Sequence, residues 1–429
     1  MKSFLKKIVV YILTLEAKLV LKRYKPKVIA VTGNVGKTST KDAIYTSLCD
    51  FISVRKNQKS FNSEIGVPLT ILGLENAWGN PLKWLINIFK GAGVCVWQKK
   101  YPEWLILEIG ADHPGDIESI TKWLIPDVVV ITRIPGVPVH VEYFKDSNAL
   151  MEEKAFLLKA LREDGAAILN ADDENILALG KYVKGTVIHY GMKNPATIYA
   201  DKYGLMYDGD YLAGMQFRIL YDSNIIPVVL KGVVGIQHVY PVLASACVGI
   251  VLKMPLVKLT ESFLNHEYPR GRMNVLRGIN NTVIIDDTYN SSPVAVEFAL
   301  KTLKEVLVKG RKIAVLGDML ELGSHSVSSH KEAGKLVADC ADVLLTVGVR
   351  ARDFKESAMD SGMSKNSVWS FHNSNEAGEF LKDFIKEGDL ILVKGSQGVR
   401  MEKAVSVILE DKENIGKLLI RQEGEWQVR

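Results

Sequence analysis

The stretch VIAVTGNVGKTST, residues 28–40, decides the fold. Its first five residues form an apolar, β-branched run of strand length, and the chain from Lys37 onward has the length and spacing of a helix. Strand, glycine turn and helix in that order is the setting in which a glycine-rich loop cradles phosphate. Gly33 and Gly36 let backbone amides turn inward, with Thr32, Asn34, Val35 and Ser39 completing the loop. Lys37 supplies a fixed positive charge for β and γ phosphates, and the Thr38 hydroxyl suits Mg²⁺. The ligand these residues imply is ATP. The loop is the short TGxxGK form, because Val31 stands where the longer phosphate loop has its first glycine. An ordinary strand-to-helix turn is the bland alternative, but such a turn rarely carries the whole run.

Outward from this stretch, short β-branched runs alternate with helix-length amphipathic segments, as in a parallel sheet with crossover helices. Strands are predicted at residues 28–32, 104–110, 127–132 and 166–170. Between residues 186 and 231 the pattern shortens, with Gly and Asp turns, and predicts a small antiparallel sheet packed on the first domain. A second alternating series follows EYPRGR (267–272), with strands at 283–287, 312–318, 342–348 and 389–395. Helices are expected near 293–307, 328–339, 374–386 and 400–409. The fold class is α/β: a central ATP-binding domain (26–268) with a mostly parallel sheet and an antiparallel subdomain, then a Rossmann-like doubly wound domain (269–429). Ligands in such sheets gather beyond the carboxyl ends of the strands, so the site belongs in the cleft between domains.

Composition agrees with two globular domains. The chain has 429 residues, 47% hydrophobic and 24% charged, more than one core usually organises. Cys49, Cys95, Cys247 and Cys340 are widely spaced, which points to a reducing cytoplasm and away from structural zinc. A net charge of +5, spread along the chain, makes nucleic acid a poor partner. The local excess of Lys and Arg lies in residues 1–25, around an apolar run too short to cross a bilayer. That segment is either a helix packed on the domain body or a basic amphipathic helix at the inner membrane face.

The run TGNVGKTSTKDAI (32–44) resembles the Mur ligase family, in particular its D-alanyl-D-alanine-adding branch. LEIGADHPGDI (107–117), His140 with Glu142, Lys154, LNADD (169–173), GR (271–272), DDTYNSSP (286–293), LGDMLELG (316–323) and VKGSQGVRME (393–402) follow in the family's order. The resemblance implies an ADP-forming ligase that activates a carboxylate as an acyl phosphate and joins it to an amine. It implies UDP-N-acetylmuramoyl-tripeptide and D-alanyl-D-alanine as substrates and two Mg²⁺ ions; a monomer is the default expectation. Thr38, Glu108, His140 and Lys154 match the metal-binding positions, with Lys154 carbamylated so that a carboxylate replaces a repelling cation. Phe156 stands where the family usually has an acidic residue two positions after that lysine. Arg272, Asp287 and Asn290 match nucleotide contacts from the second domain, while Asp318, Lys394 and Ser396 are candidates for meeting substrate.

Two features depart from the family. His238 and Pro241 occupy positions where asparagines are common, and proline cannot offer adenine a side-chain amide. Only about 25 residues precede the first strand, where muramoyl-peptide ligases carry a domain that grips the UDP-sugar. That sugar is then expected to be held by a partner, by the Trp- and Gly-rich loop around residues 76–97, or not at all. Competing readings are another amide ligase of the same superfamily, a P-loop switch or motor ATPase, and a relative that binds ATP without catalysis.

Overall fold

The structure, a computed structural model, describes residues 3–57, 62–134, 144, 146–193, 196–423 and 426. Its opening helix α1 (Ser3–Tyr24) leads into β1 (Lys27–Thr32), the phosphate loop and α2 (Lys37–Leu48). Then come β2 (Val54–Lys56), α3 (Gly66–Leu72), α4 (Pro81–Val96), β3 (Trp104–Glu108), α5 (Asp116–Thr121), β4 (Val128–Ile131), α6 (Ser147–Lys159), β5 (Ala166–Asn170), α7 (Glu174–Leu177) and β6 (Thr186–Gly191). The strands β7 (Ile198–Asp208), β8 (Tyr211–Tyr221) and β9 (Asn224–Lys231) precede α8 (Val239–Val251) and α9 (Leu256–Glu261).

One sheet holds all nine of these strands, in the order β2-β3-β1-β4-β5-β6-β7-β8-β9. The expected antiparallel strands form, but as an extension of the parallel sheet rather than a sheet of their own. Tyr190 pairs with Ile198 and Gly191 with Tyr199 at the seam between β6 and β7. The central strands are buried end to end because helices cover both faces, and their residues divide by parity. Ile29, Val31, Ile106 and Val130 join one core with α2 and α8, whereas Val28, Ala30, Leu105 and Val129 join the other with α1 and α6.

The second sheet runs β10-β11-β15-β12-β13-β14. It comprises β10 (Asn274–Gly278), β11 (Thr282–Asp287), β12 (Lys312–Gly317), β13 (Val343–Val347), β14 (Val368–Phe371) and β15 (Leu390–Lys394), with β10 antiparallel and the others parallel. Helices α10 (Pro293–Glu305) and α11 (Ser326–Cys340) share one core with it, and α13 (Ser374–Phe384) and α14 (Glu402–Ile408) the other. Helix α12 (Arg352–Asp360) and strand β14 lie outside the sequence expectation. Nine residues and four residues are too few for a period to rise above background.

Helix α1 packs on α3 and α4. Leu13, Ala17 and Val20 are fully buried in the core beneath it. The region around 76–97, expected as a loop, is mostly helix α4, begun by the Asn80 side chain accepting from the Lys83 amide with Pro81 in the first turn.

Candidate active site

β1 delivers the phosphate loop to the carboxyl edge of the first sheet, beside the ends of β3 and β4. Gly33 has φ +142°, and a Cβ there would stand 2.0 Å from Thr132 Oγ1, so the residue must be glycine. Gly36, at φ +87°, sets the start of α2, whose first-turn amides have no partner within the helix and are aimed at the cleft. Thr132, on the segment after β4, braces the loop by donating to the Val35 carbonyl at 2.7 Å.

Lys37 Nζ lies 2.9 Å from the Gly33 carbonyl. Burial lowers its pKa, Arg272 across the cleft adds to the lowering, and Glu108 opposes it. Glu108 ends β3 opposite Val31 of β1. Its Oε1 accepts from Asn62 at 3.3 Å, its backbone amide donates to the Asn57 side chain at 2.8 Å, and its Oε2 is buried and accepts no hydrogen bond among the described residues. A buried carboxylate oxygen left open beside a phosphate loop fits a hard divalent cation such as Mg²⁺. Lys41, one turn beyond Lys37, puts its buried ammonium 3.8 Å from that oxygen and donates to the Asn57 carbonyl at 3.1 Å. Sequence reasoning passed over Lys41 because a lysine at the fifth position of a helix looks solvated until the fold buries it.

Lys154, on α6, is 2% exposed, and its Nζ donates to the Gly33 carbonyl at 3.2 Å. Burial, followed by the nearby charge of Lys37, lowers its pKa to about 7. A buried amine that is half neutral at pH 7 has the free lone pair that reaction with CO₂ requires. Glu153 does not share this chemistry: its carboxylate accepts from the amides of Gly115, Ile117 and Glu118 and caps α5. His140 lies outside the described residues. Among the described residues, no three His, Cys, Asp or Glu side chains gather as a metal cage.

The opposite wall comes from the second sheet. Arg272 lays its guanidinium 4.1 Å from the Tyr289 ring centre, and its Nε is buried without a hydrogen-bond acceptor among the described residues. A planar donor held open on an aromatic shelf suits a phosphate. Asp287 and Lys394 are paired by the β11–β15 register and form a buried 2.6 Å ion pair. Lys394 also donates to the Asn290 carbonyl at 2.9 Å. Their nearest service is therefore to each other and to the loop 288–292. Ser396 accepts at Oγ from the Leu320 amide at 2.9 Å.

A cavity of about 340 Å³ joins the walls. It is lined by Asn34 to Thr40, Glu108, Arg272, Asp287, Asn290, Lys394 and Ser396, so most candidate residues meet there. Thr32, Gly33 and Lys154 stand behind the loop. Asp318 is not in the lining; its carboxylate accepts from the Ala351 amide at 2.7 Å, a structural duty at the start of α12. His238 and Pro241 do line the cavity. His238 Nε2 is 2.9 Å from the Arg272 carbonyl, and burial lowers its pKa to about 4, so it is a neutral ring that donates there. Arg421, far along the chain, holds the other side of the shelf: it donates to the Thr288 and Tyr289 carbonyls and pairs with Glu402 at 3.0 Å. Its lone arginine context offered no sequence signal.

With this geometry in hand, comparison with known proteins is decisive. Residues 31–249 match the Mur ligase middle domain, and residues 271–397 match the Mur ligase, glutamate ligase domain. The chain belongs to the Mur ligase family. It is an ATP-dependent carboxylate–amine ligase by class. This Mur ligase is 27% identical over 401 residues to the UDP-N-acetylmuramoyl-tripeptide--D-alanyl-D-alanine ligase of Bacillus subtilis, covering 92% of this chain and 78% of that protein. The protein of the same name from Rickettsia prowazekii is 28% identical over 394 residues, covering 89% and 78% respectively. Among solved structures, a MurF ligase from Thermotoga maritima in complex with ADP aligns with TM-score 0.75 at 25% identity, covering 95% of this chain and 84% of that one. A MurF from Acinetobacter baumannii aligns with TM-score 0.76 at 21% identity over 95% of this chain and 81% of its own, a likeness of fold.

Proposed function

We propose that this Mur ligase works as a cytoplasmic monomer that adds D-alanyl-D-alanine to a UDP-N-acetylmuramoyl-tripeptide, driven by ATP through an acyl phosphate. The observation that carries the reading is a single cavity with the phosphate loop and Glu108 on one wall and Arg272 on the other. An anionic carboxylate and an anionic γ phosphate repel, so their approach depends on cations held in line with both. Lys37 lies against the phosphates from the loop side, and Arg272 closes on them from the second domain, coupling domain closure to catalysis. Thr38, Glu108 and a carbamate on Lys154 are the groups that would hold two Mg²⁺ ions, with His140 as a further ligand by resemblance. Bound Mg²⁺ supplies charge neutralisation and Lewis acidity at the phosphoryl oxygens. The substrate carboxylate oxygen bonds to the γ phosphorus as ADP leaves; the amine nitrogen then attacks the carbonyl carbon of the acyl phosphate, inorganic phosphate departs, and the amine proton passes to solvent or a nearby base.

The test is phosphate release over a panel of UDP-muramoyl peptides and dipeptides. The expected result is release that requires both UDP-N-acetylmuramoyl-tripeptide and D-alanyl-D-alanine. Equal release with either omitted would identify a simple ATPase and overturn the reading, and dependence on a different amine would move the chain to another amide ligase of the family.

A further inference from the structure

Helix α4 is inverted relative to an ordinary surface helix. At 3.6 residues per turn, Trp84, Asn87 and Gly91 point inward, while Leu82, Leu85, Ile86, Phe89 and Val96 point to solvent. Phe89 is 69% exposed and Leu82 66%. Trp78 and Trp97, at the two ends of this helix, are also exposed.

Helix α1 continues the face. Leu5, Ile8, Tyr11, Leu15 and Leu19 form an exposed stripe beside its buried one. The residues that border the stripe are those that touch α4: Glu16 meets Gly91, and Arg23 donates to the carbonyls of Cys95 and Val96. The stripe therefore runs along α4 rather than around the far side.

Charge selects the occupant. Residues 5–25 and 78–100 contain ten Lys and Arg but one acid, Glu16, which is buried. Lys6 is paired with Glu64 from outside the two segments. An apolar face rimmed by cations, with tryptophans at its margins, matches a bilayer surface with anionic headgroups. A second copy is a poor match, because a two-fold contact through this face would set the cations of one copy against those of the other. Among the described residues, no helix is long and apolar enough to cross a membrane. We propose that the α1–α4 face docks this enzyme peripherally on an anionic lipid bilayer. None of the residues in the two stripes lines the active-site cavity, so the proposal goes beyond the ligase reading and fails or stands apart from it.

The experiment is flotation of the full chain with phosphatidylcholine vesicles, with and without about 30% phosphatidylglycerol. Wild type floats with the anionic vesicles, and the binding is lost as salt shortens the Debye length. The double substitution Leu85→Asp with Phe89→Asp lowers vesicle partition at least about 100-fold through lost apolar burial. Reversal at Lys83, Lys90, Lys99 and Lys100 to Glu abolishes preference for the anionic vesicles. Both variants keep ATP binding, since none of the substituted residues lines the active-site cavity. As a readout needing no variant, lipids brominated near the headgroup quench the tryptophan fluorescence of wild type. No flotation on anionic vesicles together with no quenching overturns the proposal. So does unchanged flotation of the Asp variant, or a wild-type dimer that this variant makes monomeric without any vesicle binding.

Discussion

The buried amine of Lys154 gives the sharpest test of the site. With its pKa lowered from 10.5 to about 7, about three quarters of the amine is neutral at pH 7.5, against about 0.1% for an ordinary lysine. The gain in carbamate-forming amine is on the order of two to three powers of ten. The same shift is a stability penalty. The folded pKa lies below the unfolded one, so stability rises with pH between about 7 and 10.5 and is lost as pH falls through 7. At pH 7 the penalty is about 4 kcal/mol, an upper figure because Lys37 titrates nearby. Lys154→Met is therefore expected to raise the unfolding free energy of the ligand-free enzyme by up to that amount near pH 7, with the gain vanishing above pH 10.5. Gly33 loses one donor but keeps Lys37 at 2.9 Å, which limits the offsetting cost. Activity moves the opposite way. Lys154→Met and Lys154→Ala should slow phosphate release at least about 100-fold, and short-chain carboxylic acids should partly rescue the alanine variant by supplying the missing carboxylate. The assays are urea denaturation across pH, coupled phosphate release, and ¹³C NMR after incubation with labelled bicarbonate and Mg²⁺. A wild-type spectrum without a carbamate resonance, together with full activity in Lys154→Ala, would refute the reasoning.

Three further outcomes follow from particular contacts. Gly33→Ala should destabilise by about 2–4 kcal/mol and abolish ATP binding, since its Cβ would stand 2.0 Å from Thr132 Oγ1 in a backbone conformation that disfavours side chains; calorimetric titration with ATP and urea melts check both. Arg421→Ala leaves Glu402 with only Arg400 and frees the Thr288 and Tyr289 carbonyls, so stability should fall by about 3 kcal/mol and the KM for ATP should rise several-fold, more than kcat falls. His238 and His266 are both lowered to about 4 by burial, so unfolding free energy should drop as pH falls from about 6.5 towards 4, and His238→Gln should flatten that drop in denaturation curves.

The sequence by itself determined the elements whose signals are local. A β-branched run, two glycines and a Lys-Thr pair can fold into a phosphate loop at one place only, because Gly33 and Gly36 alone permit its positive φ angles. The apolar strands 104–108, 128–131 and 390–394 were legible because full burial writes an unbroken apolar run into the chain. Arg272 of the GR pair, and Asp287 and Asn290 of DDTYNSSP, all line the cavity.

What only the tertiary structure decided depends on which strands become neighbours and which surfaces remain uncovered. Asp287 and Lys394 lie 107 residues apart and become an ion pair solely because β15 inserts beside β11. Arg421 reaches the loop 288–289 from the end of the chain, and Lys41 becomes a neighbour of Glu108 only when β1 and β3 pair. Residues 76–97, expected as a loop, are mostly α4, and apolar spacing records that a helix has an apolar face, not whether protein covers it. The fold turns Trp84 inward and leaves Phe89 outside, an assignment that apolar spacing by itself does not make.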